Sequence, residues 1–198
     1  MQPIKLQPFG YSEFYEWENP QTTTFARFVT FSKNNPNKIV PFGADPNGFL
    51  LGVTTINSLI DSDDNDVWHN KFKKNEVGDY LIEKERLAVG SKIYDENLEI
   101  SLIKTFPWEH MIQIPTDEYD ETKNYVPRSK RTEWVRVNLI GKCIVFDNGT
   151  CTPGQYCTPY TGKLKGKQGS AIPATEDSKH KFYVLERISD TTILIVNK

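Results

Sequence analysis

Val135-Arg136-Val137-Asn138-Leu139-Ile140, followed by Cys143-Ile144-Val145-Phe146, alternates apolar and polar side chains with a period of two. That period belongs to a strand with one covered face. Asn148-Gly149 comes next and is the strongest two-residue hairpin signal in the chain. Beyond Tyr156-Cys157 and a Gly/Lys-rich loop from Gly162 to Gly169, two further strands are predicted. They are Phe182 to Ile188 and Thr192 to Val196, joined through Ser189-Asp190. On the N-terminal side the apolar runs are short: Phe25 to Phe31, Ile39-Val40, Phe49 to Val53, Thr54 to Ile56, Tyr80 to Ala88 and Leu98 to Ile103. Turn residues punctuate them at Asn34-Asn35-Pro36-Asn37, Gly43 to Gly48 and Gly90. Residues 115–124 are polar and predict a surface loop. No internal repeat or heptad is present. The reading is a mainly β (β-rich α+β) chain with little helix, forming a single compact domain over residues 21–198.

Residues 1–20 differ. Pro3, Pro8 and Pro20 bracket Tyr11, Phe14, Tyr15 and Trp17. Tyr11, Phe14, Tyr15 and Glu18 fit a short helical turn. So short a segment does not fold alone. An N-terminal aromatic arm is therefore expected, docked on the domain or on another copy of it.

Composition removes several classes. The chain has 198 residues, 12% of them aromatic, with a formal net charge of −2. A chain of this size buries roughly 70% of its unfolded surface. The charge gives no reason to expect nucleic acid or an anionic membrane as partner. No apolar run reaches the ~18 residues of a membrane span. Met1-Gln2-Pro3-Ile4-Lys5 lacks a basic-then-apolar signal pattern, so synthesis in the cytoplasm is expected. Three cysteines, an odd number, argue against a disulfide framework.

Candidate chemical motifs mostly dissolve on inspection. Asp61, Asp63, Asp64 and Asp66 suggest a calcium loop, but position six is Asp66 rather than glycine and position twelve is Phe72 rather than glutamate. A solvated loop is the better reading. Cys143, Cys151 and Cys157 contain no C-x₂₋₄-C pair, and His69, His110 and His180 are scattered, so no metal site is expected. Cys151 and Cys157 flank five residues and read as two thiols facing each other. No serine has a nucleophile-elbow context. Lys163-Leu164-Lys165-Gly166-Lys167 lacks the spacing of a phosphate-binding loop. It reads as a solvated basic loop. No cofactor is expected.

A longer pattern runs through the chain. Its C-terminal part is Tyr125-Val126-Pro127-Arg128-Ser129, Glu133-Trp134, Leu139-Ile140-Gly141-Lys142, Asp147-Asn148-Gly149-Thr150-Cys151 and Tyr156-Cys157. Tyr11-Ser12-Glu13-Phe14-Tyr15-Glu16-Trp17, Phe28-Val29-Thr30-Phe31, Leu51-Gly52-Val53 and Trp68-His69-Asn70-Lys71-Phe72 precede it. In order and spacing this series resembles the intramolecular-chaperone (IMC) autoproteolytic cleavage domain of phage tail spikes and neck appendages, a glutamic autopeptidase type. The resemblance implies a domain that helps an elongated fibre to trimerise and is then cut from it. The cut falls before an Asp that opens the first segment, with a serine commonly before that Asp and a glutamate as base. By position, Glu13 matches the catalytic glutamate and Glu16 a second carboxylate.

Gly10 stands where that Asp belongs, and Phe9 where the serine belongs. Ser12 matches an alanine of the pattern. The expectation is thus a viral structural or assembly protein of a tail spike, fibre or appendage, homotrimeric, without self-cleavage. It would be located in the virion after assembly in the host cytoplasm, with other virion or fibre proteins as partners. Two alternatives stay open. One is an active autopeptidase cutting at Phe9-Gly10 with Glu13 as base. The other is a trimeric knob that binds host-surface glycan through Trp68, Trp108 and nearby tyrosines. Glu133 and Trp134 are expected to serve folding.

Overall fold

The computed structural model describes residues 10–20, 25–43, 48–62, 64, 68, 70–87, 90, 92–95, 100–103, 108–162, 164 and 166–197. Phe9, Asp63, Asp66, His69, Lys163 and Lys165, and the side chains of Trp108 and His110, lie outside that description. The described residues form fourteen strands and no α-helix, so the mainly β expectation stands and its helical component does not. The chain divides into two compact units, residues 1–66 with 126–198, and residues 67–125.

The first unit holds β1 (Gly10–Trp17), β2 (Phe28–Phe31), β3 (Lys38–Pro41), β4 (Leu50–Thr55), β5 (Ile60–Ser62), β10 (Trp134–Phe146), β11 (Tyr156–Pro159), β12 (Ala171–Pro173), β13 (Phe182–Ser189) and β14 (Thr192–Asn197). They make one ten-stranded sheet in the order β12-β11-β13-β14-β10-β4-β2-β3-β1-β5, with β10 also paired to β1. That extra pairing closes a ring of β10, β4, β2, β3 and β1. Trp17, Val29, Ile39, Val135 and Val137, all but fully buried, form one cluster inside the ring, with Leu51 packed against them. Small barrels are filled in this way, by inward side chains from successive strands. Gly52 belongs to the same geometry. A Cβ there would meet the Asn138 carbonyl oxygen and stand 2.8 Å from Val137 Cγ1.

The other side of the sheet carries the second core. Phe28, Phe42, Val53, Cys143, Val145, Cys151, Cys157, Phe182, Val184, Ile193 and Ile195 pack there. β2 and β4 supply both cores because neighbouring residues of a strand face opposite ways: Phe28 and Val53 one way, Val29 the other.

Two local expectations change. Residues 10–17 are a strand, not a helical turn. β1 lies antiparallel to β10, with Glu13 opposite Val137 and Tyr15 opposite Val135. Phe14 and Trp17 are buried within this unit, so the aromatics do have a local core. Ladder hydrogen bonds to β10 outweigh the weak helical spacing of four side chains. Asn148-Gly149 likewise does not form a hairpin between paired neighbours. β10 pairs with β14 after that turn, and β11 pairs with β12 and β13. Asn148 Oδ1 instead accepts the Thr150 N–H at 3.3 Å, an Asx turn that redirects the chain. The hairpin lies later, where Ser189 pairs with Thr192.

The second unit contains β6 (Ile82–Leu87) paired with β9 (Trp108–Gln113), and β7 (Lys92–Asp95) paired with β8 (Ile100–Ile103). Trp68 packs against Tyr119 and Tyr125, at centroid separations of 5.9 and 5.6 Å.

Candidate functional site

The period of β1 decides where its carboxylates go. Tyr11, Glu13, Tyr15 and Trp17 share the face that looks into the ring, and Ser12, Phe14 and Glu16 share the outer face. Glu13 and Glu16 therefore lie on opposite faces, not together as a helical turn would place them. The Glu13 carboxylate accepts the Tyr11 hydroxyl at 2.5 Å on Oε1 and the Tyr15 hydroxyl at 2.8 Å on Oε2. Both oxygens are thus occupied by donors from the same strand face. Glu16 Oε1 accepts Lys38 Nζ at 2.5 Å, from the neighbouring parallel strand.

The start of β1 is held from both sides. The Gly10 carbonyl accepts Ser58 Oγ–H at 2.6 Å and the Leu59 N–H at 3.2 Å. Across β10, the Asn138 carboxamide lies over the Gly10 Cα. A Cβ built on residue 10 would collide with Asn138 Nδ2 and stand 2.5 Å from the Ile140 carbonyl oxygen. The Asn138 Nδ2 donates to that same carbonyl at 3.3 Å. Ser12 and Asn138 are register partners, 0% and 2% exposed, at a bulge between Tyr11 and Ser12. Among the described residues neither Ser12 Oγ nor Asn138 Oδ1 has a hydrogen-bond partner. Such orphaned buried atoms each cost about 1–3 kcal/mol.

Charged side chains fasten the outer face. Arg136 lies 4.8 Å over the Phe14 ring, and its Nε donates to Asp61 Oδ2 at 2.8 Å. Asp61 sits in β5 and Asp64 Oδ1 accepts the Ser129 N–H, so these two acids are structural fasteners rather than members of a solvated loop. Trp134 is half-buried under the Arg128 guanidinium, 4.2 Å from its centroid. Glu133 contributes its carbonyl, which accepts the Trp17 N–H at 2.8 Å.

Asp147 anchors the far end of β10. Its buried carboxylate accepts Arg187 Nη1 at 3.2 Å and Nη2 at 2.9 Å, and the Cys151 N–H at 3.0 Å. Burial works against its ionisation, but the Arg187 and Cys151 hydrogen bonds outweigh it and hold the carboxyl below the usual range.

Asn138, Ser58 and Leu59 went unnoticed in the sequence. Asn138 occupies the polar phase of an alternating strand and reads as solvent-facing. Its burial depends on β1 and β4, which are distant in sequence.

A ring-closed β sheet with its first strand clamped between β10 and β5 defines an all-β domain, with no grouped catalytic constellation among the described residues. The chain belongs to the family of IMC autoproteolytic cleavage domains (Peptidase_G2), which matches residues 7–186. It is similar to the preneck appendage protein of Bacillus phage PZA, 25% identical over 151 residues. It is equally similar to the pre-neck appendage protein of Bacillus phage phi29, 25% identical over 150 residues. In both cases 73% of this chain is matched, and the match spans 14% of the relative. Two crystal structures share the fold at 19% identity. The pre-mature bacteriophage phi29 gene product 12 gives a TM-score of 0.62 over 97% of this chain and 22% of that one. The C-terminal fragment of the same gene product gives 0.57, over 95% and 99%.

Proposed function

We propose that this chain is the trimerising, IMC-like domain of a phage tail spike, fibre or appendage, and that it does not cut itself. It would assemble in the host cytoplasm with other virion proteins and remain in the virion. Family membership and the two phage appendage relatives support the structural role. One observation carries the loss of cleavage: the Asn138 carboxamide fills the space that a side chain at position 10 would need. The Asp that opens the family's first segment does not fit there without displacing it. Glu13 also has both carboxylate oxygens engaged by Tyr11 and Tyr15.

Light scattering on the purified chain tests the assembly. A particle of three 22.8 kDa chains is expected, and a monomer at micromolar concentration overturns the trimer. Intact mass after days in buffer tests the chemistry. A single 22.8 kDa species is expected. Loss of the first nine residues, abolished by Glu13→Gln, would instead make the chain an active autopeptidase cutting at Phe9-Gly10. Binding on a glycan array would favour the host-surface knob.

A further inference from the structure

We propose that Cys151 and Cys157 are a disulfide-forming pair, joined when the protein meets a low-molecular-weight disulfide such as oxidised glutathione. Both side chains enter one buried cluster, at 3% and 0% exposure, and all three cysteines are free thiols in this structure.

The backbone between the two is a tight, exposed turn fixed at each end. Gln155 N–H donates to the Thr152 carbonyl at 3.2 Å, closing the turn. Gly154 N–H donates to the Val184 carbonyl, and Val184 N–H to the Gln155 carbonyl, each at 2.9 Å. On one side Cys151 is pinned through its N–H by Asp147 and through its carbonyl by Arg187. On the other, Cys157 is paired with Phe182 in the β11–β13 ladder. The closed Thr152–Gln155 turn folds this short segment back on itself, and a disulfide would require the two cysteine Cα atoms to stand roughly 4.4–6.8 Å apart. The neighbouring Cys151 thiol and burial together push the Cys157 thiol well up. Cys143 affects Cys157 only through charge, and burial alone pushes the Cys143 thiol up to about 12.

The chemistry balances by two exchanges. The Cys151 thiolate, next to the exposed turn, attacks one sulfur of oxidised glutathione and expels a glutathione thiolate. Cys157 loses its proton and attacks the Cys151 sulfur of the mixed disulfide, expelling the second glutathione. Two protein thiols become one disulfide, and one oxidised glutathione becomes two reduced molecules. Cys143, on a strand inside the core, has no such access. A reducing cytoplasm would keep the pair as thiols, whereas an oxidising exterior would seal it.

The test uses the whole chain, held in oxidised glutathione or in dithiothreitol, then alkylated after denaturation. In dithiothreitol all three cysteines take the label. After oxidation one label is expected, on Cys143 by peptide mapping, and dithiothreitol restores all three. Cys143→Ala should then take none after oxidation, and Cys151→Ser should stop at a mixed disulfide or a free thiol. Labelling of Cys151 and Cys157 that persists after oxidation in mild denaturant, or a bridge that contains Cys143, overturns the proposal.

Discussion

Gly10 and Asn138 share one volume across the β1–β10 pair: residue 10 has no side chain, and the Asn138 carboxamide lies where its Cβ would stand. The first strand docks this closely only because both residues are what they are. Any larger residue 10 forces Asn138, or the Ile140 carbonyl, to move.

Gly10→Asp should therefore lose roughly 1–3 kcal/mol, the usual cost of overpacking a filled site. Asn138→Gly in the same chain should return much of it. A double-mutant cycle by denaturant unfolding measures the coupling. Additive losses would show that the two residues do not compete for space. Intact mass of Phe9→Ser with Gly10→Asp and Asn138→Gly then asks whether freeing the space restores cleavage.

Ser12→Ala should hold or raise stability. The Ser12 hydroxyl is buried without a partner, so deleting it removes a desolvated group at about 1–3 kcal/mol. Alanine is also the residue that the family pattern carries there. A fall in melting temperature would show that the hydroxyl has a partner in solution, such as a trapped water.

Trp17→Ala should cost roughly 3–5 kcal/mol, while Trp134→Ala costs clearly less. Trp17 is 0% exposed inside the strand ring, whereas Trp134 is half-buried under Arg128. Trp17→Phe is the sharper probe. It deletes an Nε1–H that is buried without a partner, which offsets part of the lost volume. Chemical unfolding of the three variants ranks them, and equal losses for Trp17→Ala and Trp134→Ala would contradict the burial seen here.

Asp147→Asn should cost up to roughly 3 kcal/mol, the lower end for breaking a buried pair, because Arg187 keeps 28% exposure. The pH sign follows from a folded-state value held below the usual range. The pair stabilises fully above the unfolded carboxyl value near ~3.9 and loses that contribution as the pH falls through the folded value. The wild-type melting temperature should drop across that acid window more steeply than that of Asp147→Asn. Parallel profiles would show that other carboxylates govern acid unfolding.

Period-two alternation located the strand phase of the first half of β10, because a strand with one buried face writes its register into the sequence. Gly141 does not stop β10, so the two apolar runs on either side are one strand. Glu13 was legible only through its place in a family-like series, and Asn138 not at all. What hid Asn138 is long-range pairing: its burial is set by Gly10 and Ser12, more than 120 residues earlier. The same holds for Asp61, whose run of acids reads as a solvated loop until Arg136 supplies a partner. The turn after Asn148 shows the opposite failure. A local signal was present, but the partner strand came from elsewhere.

Gly141 is the register partner of both Gly10 and Asn197, so the first strand begins and the last strand ends beside one residue. Each paired Cα lies about 5 Å from Gly141, which leaves a gap of at most ~11 Å between Gly10 and Asn197. A linker of about four residues spans that gap. A circularly permuted chain could thus run from β14 straight into β1 and open instead in the exposed turn Asn75-Glu76-Val77-Gly78-Asp79. Every pairing of the sheet would be kept, but the contour length between β1 and β10 would shrink by about half. Contact order governs how fast β proteins fold. The permutant should therefore reach the same sheet sooner, since β1 would no longer wait for a partner made so much later in the chain.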